Sequence, residues 1–238
     1  MAYDAAGYYT LLFGGGNGGL LVPRIRYNDT WEWGNGWHQV FPATSPSARV
    51  GAGTAYDPTT GTIVLFGGQD INGNYLNDTW IWDGVTWTQQ FPAVSPPSRE
   101  LDEQSMAYDA LTGTVVLFGG GNSSGGFADT WLWSGGAKTW TQMFPPTSPS
   151  PRAAPLTYDP VTKEIVLFGG GPDNLNDTWT WNGSPGRNSF RRRALRPEDS
   201  PPSHTIRALA KSYYSAGPKV RPRPLTTRGP GVELRGPI

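Results

Sequence analysis

Residues 56–82 read YDPTTGTIVLFGGQDINGNYLNDTWIW, and this stretch decides the fold. Its landmarks are a Tyr-Asp pair, a Phe-Gly-Gly triplet and an Asp-Thr-Trp-x-Trp block. The same landmarks occur four times, and successive triplets are 53, 52 and 50 residues apart, starting at Phe13, Phe66, Phe118 and Phe168. A fixed period of this length indicates a repeat architecture, in which each unit must bury its faces against its neighbours.

Each repeat predicts four antiparallel strands. In the second copy, turn residues separate a run of small residues at 49–56, a β-branched run at 62–66, the Trp80-Ile81-Trp82 block and a final strand. Trp80 and Trp82 are two residues apart, so they share one strand face while Ile81 points to the other. Because a sheet that is apolar on both faces must be sandwiched, the predicted fold is all-β, a β-propeller of four-stranded antiparallel blades. A β-sandwich is the alternative, but it does not explain why the whole four-strand unit recurs.

The repeat resembles the kelch repeat in its period of about 50 residues, its Gly-Gly doublet and the tryptophan of its fourth strand. Those tryptophans are Trp37, Trp87 and Trp140. Connectors that begin with Ser-Pro and end at Arg49, Arg99 and Arg152 resemble those of a bacterial kelch-type variant. The resemblance covers residues 1–184 and implies a kelch-type propeller, four-bladed or incomplete, akin to the central domain of galactose oxidase. It identifies no ligand.

The predicted domains are a propeller region at 1–184, with copies near 1–49, 50–99, 100–152 and 153–184, and a basic tail at 185–238. The first region has seven Lys/Arg against 16 Asp/Glu, a formal charge of −9, whereas the tail has 12 against three, a charge of +9. A disordered tail and an anion-binding arm carried by residues 191–193 are two interpretations of this segment. We favour a third, an out-of-frame fifth repeat, because the tail can be back-translated into kelch-like sequence in one shifted frame.

We expect the chain to be a fragment of a larger propeller. Residues 1–4 repeat the sequence of residues 106–109, so Met1 is interpreted as an internal methionine. The fourth copy loses its pattern after Trp181, so its last strand is expected to be missing. An open arc or an imperfectly closed ring would leave unpaired blade edges, which favour self-association.

Composition excludes several functional classes. The chain has no cysteine, which rules out disulfides, thiolate metal sites and the Tyr-Cys cross-link of galactose oxidase, a copper enzyme. No apolar run reaches the length of a membrane span and no signal peptide is visible, so the sequence does not decide the compartment. The acidic propeller region argues against a nucleic-acid partner.

The sequence gives little support to a catalytic or metal-binding site. His38 and His204 lack repeated acidic partners. The aspartates that recur before each third strand, Asp29, Asp78, Asp129 and Asp177, are expected to accept hydrogen bonds from backbone N–H groups. Residues 70–74 resemble a calcium loop, but Gly73 is not at the position that an EF-hand requires. No catalytic residue, metal or cofactor is predicted.

Binding has the best support. The loops between the second and third strands vary in length and lie at the same end of the blades as the connectors, where repeat proteins place recognition. Neutral drift explains such variation equally well. We predict a non-enzymatic scaffold for a protein partner, with a glycan partner or a fragment of a propeller enzyme (a glycan-acting hydrolase or oxidase) as alternatives. The candidate binding residues are Arg24, Arg26, Asp70, Asn72, Asn74, Tyr75, Glu100, Asp102, Glu103, Asn122, Asp173 and Asn174.

Overall fold

The landmark runs of every repeat form the middle strands of a four-stranded sheet. The structure is a computed structural model that describes residues 1–19, 22–101, 104–171, 175–183 and 189–193. The chain divides into two compact units, Met1–Ala194 and Leu195–Ile238. The second unit lies outside the described residues.

The first unit contains four blades. Blade 1 is built from β1 (Ala2–Asp4), β2 (Tyr9–Gly19), β3 (Val22–Trp33) and β4 (Trp37–Val40). Blade 2 is built from β5 (Gly53–Asp57), β6 (Thr62–Phe66), β7 (Thr79–Trp82) and β8 (Trp87–Gln90). Blade 3 contains β9 (Met106–Asp109), β10 (Thr114–Phe118), β13 (Thr130–Ser134) and β14 (Thr139–Met143), with a short hairpin of β11 (Gly121–Asn122) and β12 (Gly125–Gly126). Blade 4 consists of β15 (Leu156–Asp159), β16 (Glu164–Gly170), β17 (Leu175–Asn182) and β18 (Ser189–Arg193).

Every blade is an antiparallel sheet in simple chain order, and the fold class is that of a β-propeller built from such blades. The first strands of successive blades, β1, β5, β9 and β15, contact one another along the series. Among the described residues no strand of blade 1 contacts a strand of blade 4, so the blades are not closed into a ring in this part of the chain. These residues contain no helix, and therefore none that could cross a membrane.

The Tyr-Asp landmark builds the turn between the first and second strands. Asp57 Oδ1 accepts a hydrogen bond from Thr59 N at 2.9 Å, and Gly61 closes the turn at a φ of 67°. A positive φ of this kind favours glycine. Asp109 Oδ1 accepts the same bond from Leu111 N, at 2.9 Å. The landmark is therefore a turn signal.

The core lies between blades, in three clusters. The Trp82 side chain packs with Leu11 of blade 1, while Ile81 packs against the cluster shared by blades 2 and 3. The predicted opposition of Trp82 and Ile81 is thus confirmed. Since each blade gives one face to each neighbour, no blade has a core of its own.

Aromatic contacts of one geometry join successive blades. The rings of Phe13 and Trp87 have centroids 5.2 Å apart at an interplanar angle of 65°, and those of Phe66 and Trp140 are 5.2 Å apart at 66°. Trp87 Nε1 donates to Thr30 Oγ1 at 3.0 Å across the blade interface. Fully burying a large apolar side chain stabilises the fold by about 2 kcal/mol. These contacts make the blade interface the main stabilising unit.

Blade 4 corrects one expectation. The strand after Trp181 is present as β18, in which Phe190 pairs with Trp181. Phe190 takes the place of the fourth-strand tryptophan, and its ring lies 5.1 Å from that of Phe118 at 64°. The expectation of a missing strand was wrong because a phenylalanine fills the same apolar position without the Trp landmark. The out-of-frame interpretation of the tail beyond residue 193 lies outside the described residues.

Candidate functional site

Each connector between blades forms hydrogen bonds with both of the blades that it joins. The arginine that ends the second connector uses its backbone on blade 2, where Arg99 N donates to Leu76 O at 3.0 Å and Gly68 N donates to Arg99 O at 2.9 Å. Its guanidinium reaches blade 3, where Nη1 donates to Gly119 O at 2.8 Å and to Asp129 Oδ1 at 2.6 Å. Arg99 therefore links the two blades.

Asp129 holds the guanidinium in a bidentate pair. Arg99 Nη2 donates to Asp129 Oδ2 at 2.8 Å, and Trp131 Nε1 donates to the same oxygen at 2.7 Å. The Phe127 ring lies 4.1 Å below the guanidinium carbon, a cation–π contact. The Arg99 side chain is fully buried, so the pair has little competition from water. We call this arrangement the connector clamp.

The clamp is repeated. Arg49 and Asp78 pair at 2.6 Å, and Arg152 and Asp177 pair at 2.5 Å, each with a tryptophan indole donating to the same carboxylate. These side-chain partners correct the expectation that backbone N–H groups satisfy the recurring aspartates. Backbone groups do so in the Tyr-Asp turns instead.

The clamp shifts the pKa of its carboxylates. Burial raises the pKa of Asp129, but the hydrogen bonds and the positive charge of Arg99 outweigh burial, and the pKa lies below its ordinary value. The same balance with Arg49 lowers the pKa of Asp78. At Asp177 the hydrogen bonds from Arg152 dominate and lower the pKa. These carboxylates remain charged at neutral pH, which suits a structural ion pair.

The clamp positions a cleft. Glu100 follows Arg99 directly, and it exchanges two backbone hydrogen bonds of 2.8 and 2.9 Å with Gly121 of the blade 3 hairpin. The next residue, Leu101, donates its N–H to Gly51 O at 2.7 Å. Glu100 and Leu101 therefore line an open cleft of about 460 Å³ between the loops of blades 2 and 3. Its lining residues are Tyr75, Glu100, Leu101, Gly121, Asn122, Gly125, Gly126 and Ala153.

The family model described as the KLHDC2/KLHL20/DRC7 Kelch-repeats domain matches residues 2–209, which is most of the chain. The chain belongs to the kelch-repeat family. Kelch domains generally serve as protein–protein interaction scaffolds and are typically non-enzymatic. The match extends past residue 184, where the sequence predicted the end of the kelch region.

Individual relatives share a kelch segment with this chain. Multiple epidermal growth factor-like domains protein 8 of Homo sapiens is 35% identical over 127 residues, and its Rattus norvegicus counterpart is 34% identical over 126 residues. Each alignment covers 50% of this chain and 4% of the relative. tRNA wybutosine-synthesizing protein 4 of Emericella nidulans is 30% identical over 124 residues, which cover 49% of this chain and 11% of that protein. The chain thus spans a small part of these eukaryotic relatives, and its likeness to a bacterial kelch variant stays a prediction.

The kelch blades bring three of the predicted binding residues to one cleft. Tyr75, Glu100 and Asn122 all line it. The Asn122 side chain is held within the rim, because its Nδ2 donates to Ser98 O at 3.0 Å and its Oδ1 accepts from Ser124 N at 2.9 Å. Asn122 therefore shapes the cleft wall.

The loop beside Tyr75 is organised by Asp70. Its Oδ1 accepts from Asn72 N at 2.8 Å and from Asn74 N at 2.9 Å, and its Oδ2 accepts from Asn74 Nδ2 at 2.9 Å. The side-chain hydrogen bond from Asn74 dominates and lowers the pKa of Asp70. These three residues form a self-contained turn and do not line the cleft. No group of His, Cys, Asp or Glu in the described part of the chain is arranged to hold a metal ion.

The remaining predicted residues lie elsewhere. Arg24 and Arg26 both lie on β3 in the long β2–β3 hairpin of blade 1. Asp102, Glu103, Asp173 and Asn174 fall outside the described residues. All twelve positions stay predictions as binding residues.

Sequence reasoning missed the connector arginines and part of the cleft. Leu101, Gly121, Gly125, Gly126 and Ala153 line the cleft without a polar signature. The clamp had a signal, because one Ser-Pro-x-x-Arg connector occurs for each Asp-Thr-Trp block that follows it. Because one arginine and one aspartate recur with each repeat, the sequence contains enough information to predict that they form a pair.

Proposed function

We propose that this kelch domain is a scaffold that captures a basic, extended segment of a protein partner in the cleft between blades 2 and 3. The observation that carries the proposal is the convergence of Tyr75, Glu100 and the β11–β12 hairpin on one open cleft. Kelch domains of this kind generally bind proteins.

The charge of the cleft favours a basic partner. Glu100 is the charged residue of the lining, which contains no Lys or Arg. The first unit, residues 1–194, contains 11 Lys/Arg and 16 Asp/Glu, a formal charge of −5. Complementary charge speeds association and selects against acidic partners.

The shape of the cleft favours a peptide segment. Tyr75 offers a half-buried aromatic ring, a side chain enriched in binding hot spots because it combines apolar area with a hydroxyl. Gly125 and Gly126 line the same cleft, are exposed and have no side chains of their own, so their backbone is accessible to an extended chain. A cleft that is lined by both an aromatic ring and exposed backbone suits an extended peptide segment.

A displayed random-peptide library tests this proposal. Peptides selected on the full chain are expected to be rich in Lys and Arg, and Tyr75→Ala and Glu100→Gln are each expected to weaken their binding about tenfold or more. Tyr8→Ala is the matched control, because Tyr8 is 79% exposed in the β1–β2 turn at the opposite end of blade 1. Calorimetric titration of each variant with the selected peptides measures the effect.

Two results would overturn the proposal. One is selection of neutral or acidic peptides, or of peptides that bind both cleft variants as tightly as the wild-type chain. The other is specific binding of an arrayed glycan that Tyr75→Ala abolishes in the absence of peptide binding, which would support a carbohydrate partner instead.

A further inference from the structure

Blade 1 and blade 4 each have one outer face. These two faces carry the two complementary halves of the contact that joins neighbouring blades within the chain. Blade 1 contributes a face with no blade against it in the described residues, and blade 4 contributes the opposite face. Three internal interfaces, between blades 1 and 2, 2 and 3, and 3 and 4, show what covers each kind of face.

The blade 1 face is aromatic and exposed. Trp33 and Trp37 form a ring pair with centroids 5.3 Å apart, as Trp133 and Trp140 do in blade 3 at 5.3 Å. Each residue of the blade 1 pair is 46% exposed, whereas Trp140 is 4% exposed because blade 2 covers it. The blade 1 pair thus has the geometry of an interface without its covering blade.

The blade 4 face contains the matching groups. Phe168 is 47% exposed, while its equivalents Phe66 and Phe118 are fully buried against a fourth-strand aromatic ring of the following blade. At blade 4 no such ring covers it among the described residues.

A buried hydroxyl points to the same missing partner. Trp140 Nε1 donates to Thr79 Oγ1 at 2.9 Å across the blade 2–blade 3 interface. The equivalent hydroxyl of blade 4, Thr178 Oγ1, is buried and has no hydrogen-bond partner in the described part of the chain. A buried hydroxyl without a partner costs about 1–3 kcal/mol, so a donor from a docked blade would relieve that cost.

We propose that blade 4 of one copy docks on blade 1 of a second copy, head to tail, with Phe168 against Trp37 and the Trp37 indole donating to Thr178. The contact repeats the internal interface in every named element. The docked surfaces are whole blade faces, whereas the sequence predicted self-association through unpaired blade edges. A head-to-tail contact of this kind either closes into a ring of copies or continues as an open series.

Sedimentation velocity over a concentration series tests this with the full chain. The wild-type chain is expected to self-associate, and Trp37→Arg and Phe168→Arg are each expected to be monomeric at the same concentrations. Mixing the two variants restores one intact Phe168–Trp37 contact, so a one-to-one complex should form with a dissociation constant within about threefold of the wild type. Phe41→Arg is the control, because Phe41 is an 82% exposed aromatic residue at the start of a connector, and it should associate normally.

A second measurement does not depend on disrupting either face. The chain has no cysteine, so Gln39→Cys on β4 and Val166→Cys on β16 place one thiol on each face, two residues from Trp37 and from Phe168, and leave both rings in place. A short bismaleimide should cross-link a mixture of these two variants into a dimer, but should not cross-link Phe41→Cys with either. A wild-type chain that stays monomeric, variants that still associate, or a mixture that forms neither complex nor cross-link would overturn the proposal.

Discussion

Arg99 and Asp129 are 30 residues apart in sequence, and their side chains meet in a bidentate pair whose shortest contact is 2.6 Å. The arginine belongs to the connector that leaves blade 2, and the aspartate precedes the third strand of blade 3. If either side chain left the pair, the charge of the other would be buried without a partner. The pair therefore holds the connector in a fixed position on blade 3. The same relationship at Arg49 and Arg152 makes it a rule of the repeat.

Asp129→Asn is expected to reduce the free energy of unfolding by about 3 kcal/mol, because it leaves the Arg99 charge buried without a counter-charge. The amide oxygen can still accept from Trp131, so the loss reports on the ion pair. Urea unfolding followed by tryptophan fluorescence measures it.

Asp29→Asn is the matched control for that substitution. Asp29 Oδ2 accepts from Trp31 Nε1 at 2.6 Å, but no ion pair reaches Asp29 among the described residues. Its cost should stay below about 1 kcal/mol. Equal costs for the two substitutions would contradict the role given to the pair.

Acid should weaken the fold through the clamp carboxylates. The pKa values of Asp78, Asp129 and Asp177 are lowered in the folded state, whereas unfolded aspartates titrate near about 3.9. Below that value the unfolded chain binds protons that the folded chain does not, so stability is full above it and is lost as the pH falls through the folded pKa values. The urea midpoint should therefore drop between about pH 5 and pH 3, and less steeply in Asp129→Asn. A midpoint that is constant over this range would be inconsistent with the clamp.

Gly67→Ala should be more damaging than Gly61→Ala, although both positions have nearly the same φ, 68° and 67°. A Cβ atom at Gly67 would lie 2.8 Å from Arg99 O, in the connector, whereas nothing lies within 4 Å of one at Gly61. The strain of the left-handed conformation, about 1–2 kcal/mol, is common to both. Thermal unfolding should show a lower midpoint for Gly67→Ala by several degrees, and similar midpoints would refute the close approach.

Phe190→Trp is expected to stabilise blade 4. Thr130 Oγ1 is buried without a hydrogen-bond partner in the described residues, at the place where Thr30 and Thr79 accept from a tryptophan of the next blade. An indole at position 190 supplies that donor, and a gain of about 1 kcal/mol is expected. Trp140→Phe is the reverse change and should cost a similar amount. If both substitutions increase the free energy of unfolding, or if neither does, the hydrogen bond is unimportant.

The sequence predicts the blade architecture because its landmarks are local. The Phe-Gly-Gly and Asp-Thr-Trp blocks form adjacent strands whose register follows from alternation, as the Trp80–Leu65 pairing shows. The sequence also places Tyr75 and Glu100 on one rim. It does not directly reveal the clamp, because Arg99 and Asp129 belong to different copies of the repeat and must be matched across them. It misses β18 because Phe190 provides the apolar contact without the tryptophan landmark.

A double-mutant cycle of Arg99→Met and Asp129→Asn, read by urea unfolding of the full chain, tests most directly whether the connector clamp joins the blades. Each single substitution should cost about 3 kcal/mol or more, and the double variant should cost at least about 2 kcal/mol less than the two costs combined, because the second change removes the charge that the first left unpaired. Costs that add to within about 0.5 kcal/mol would show that the two residues act independently and would contradict the account.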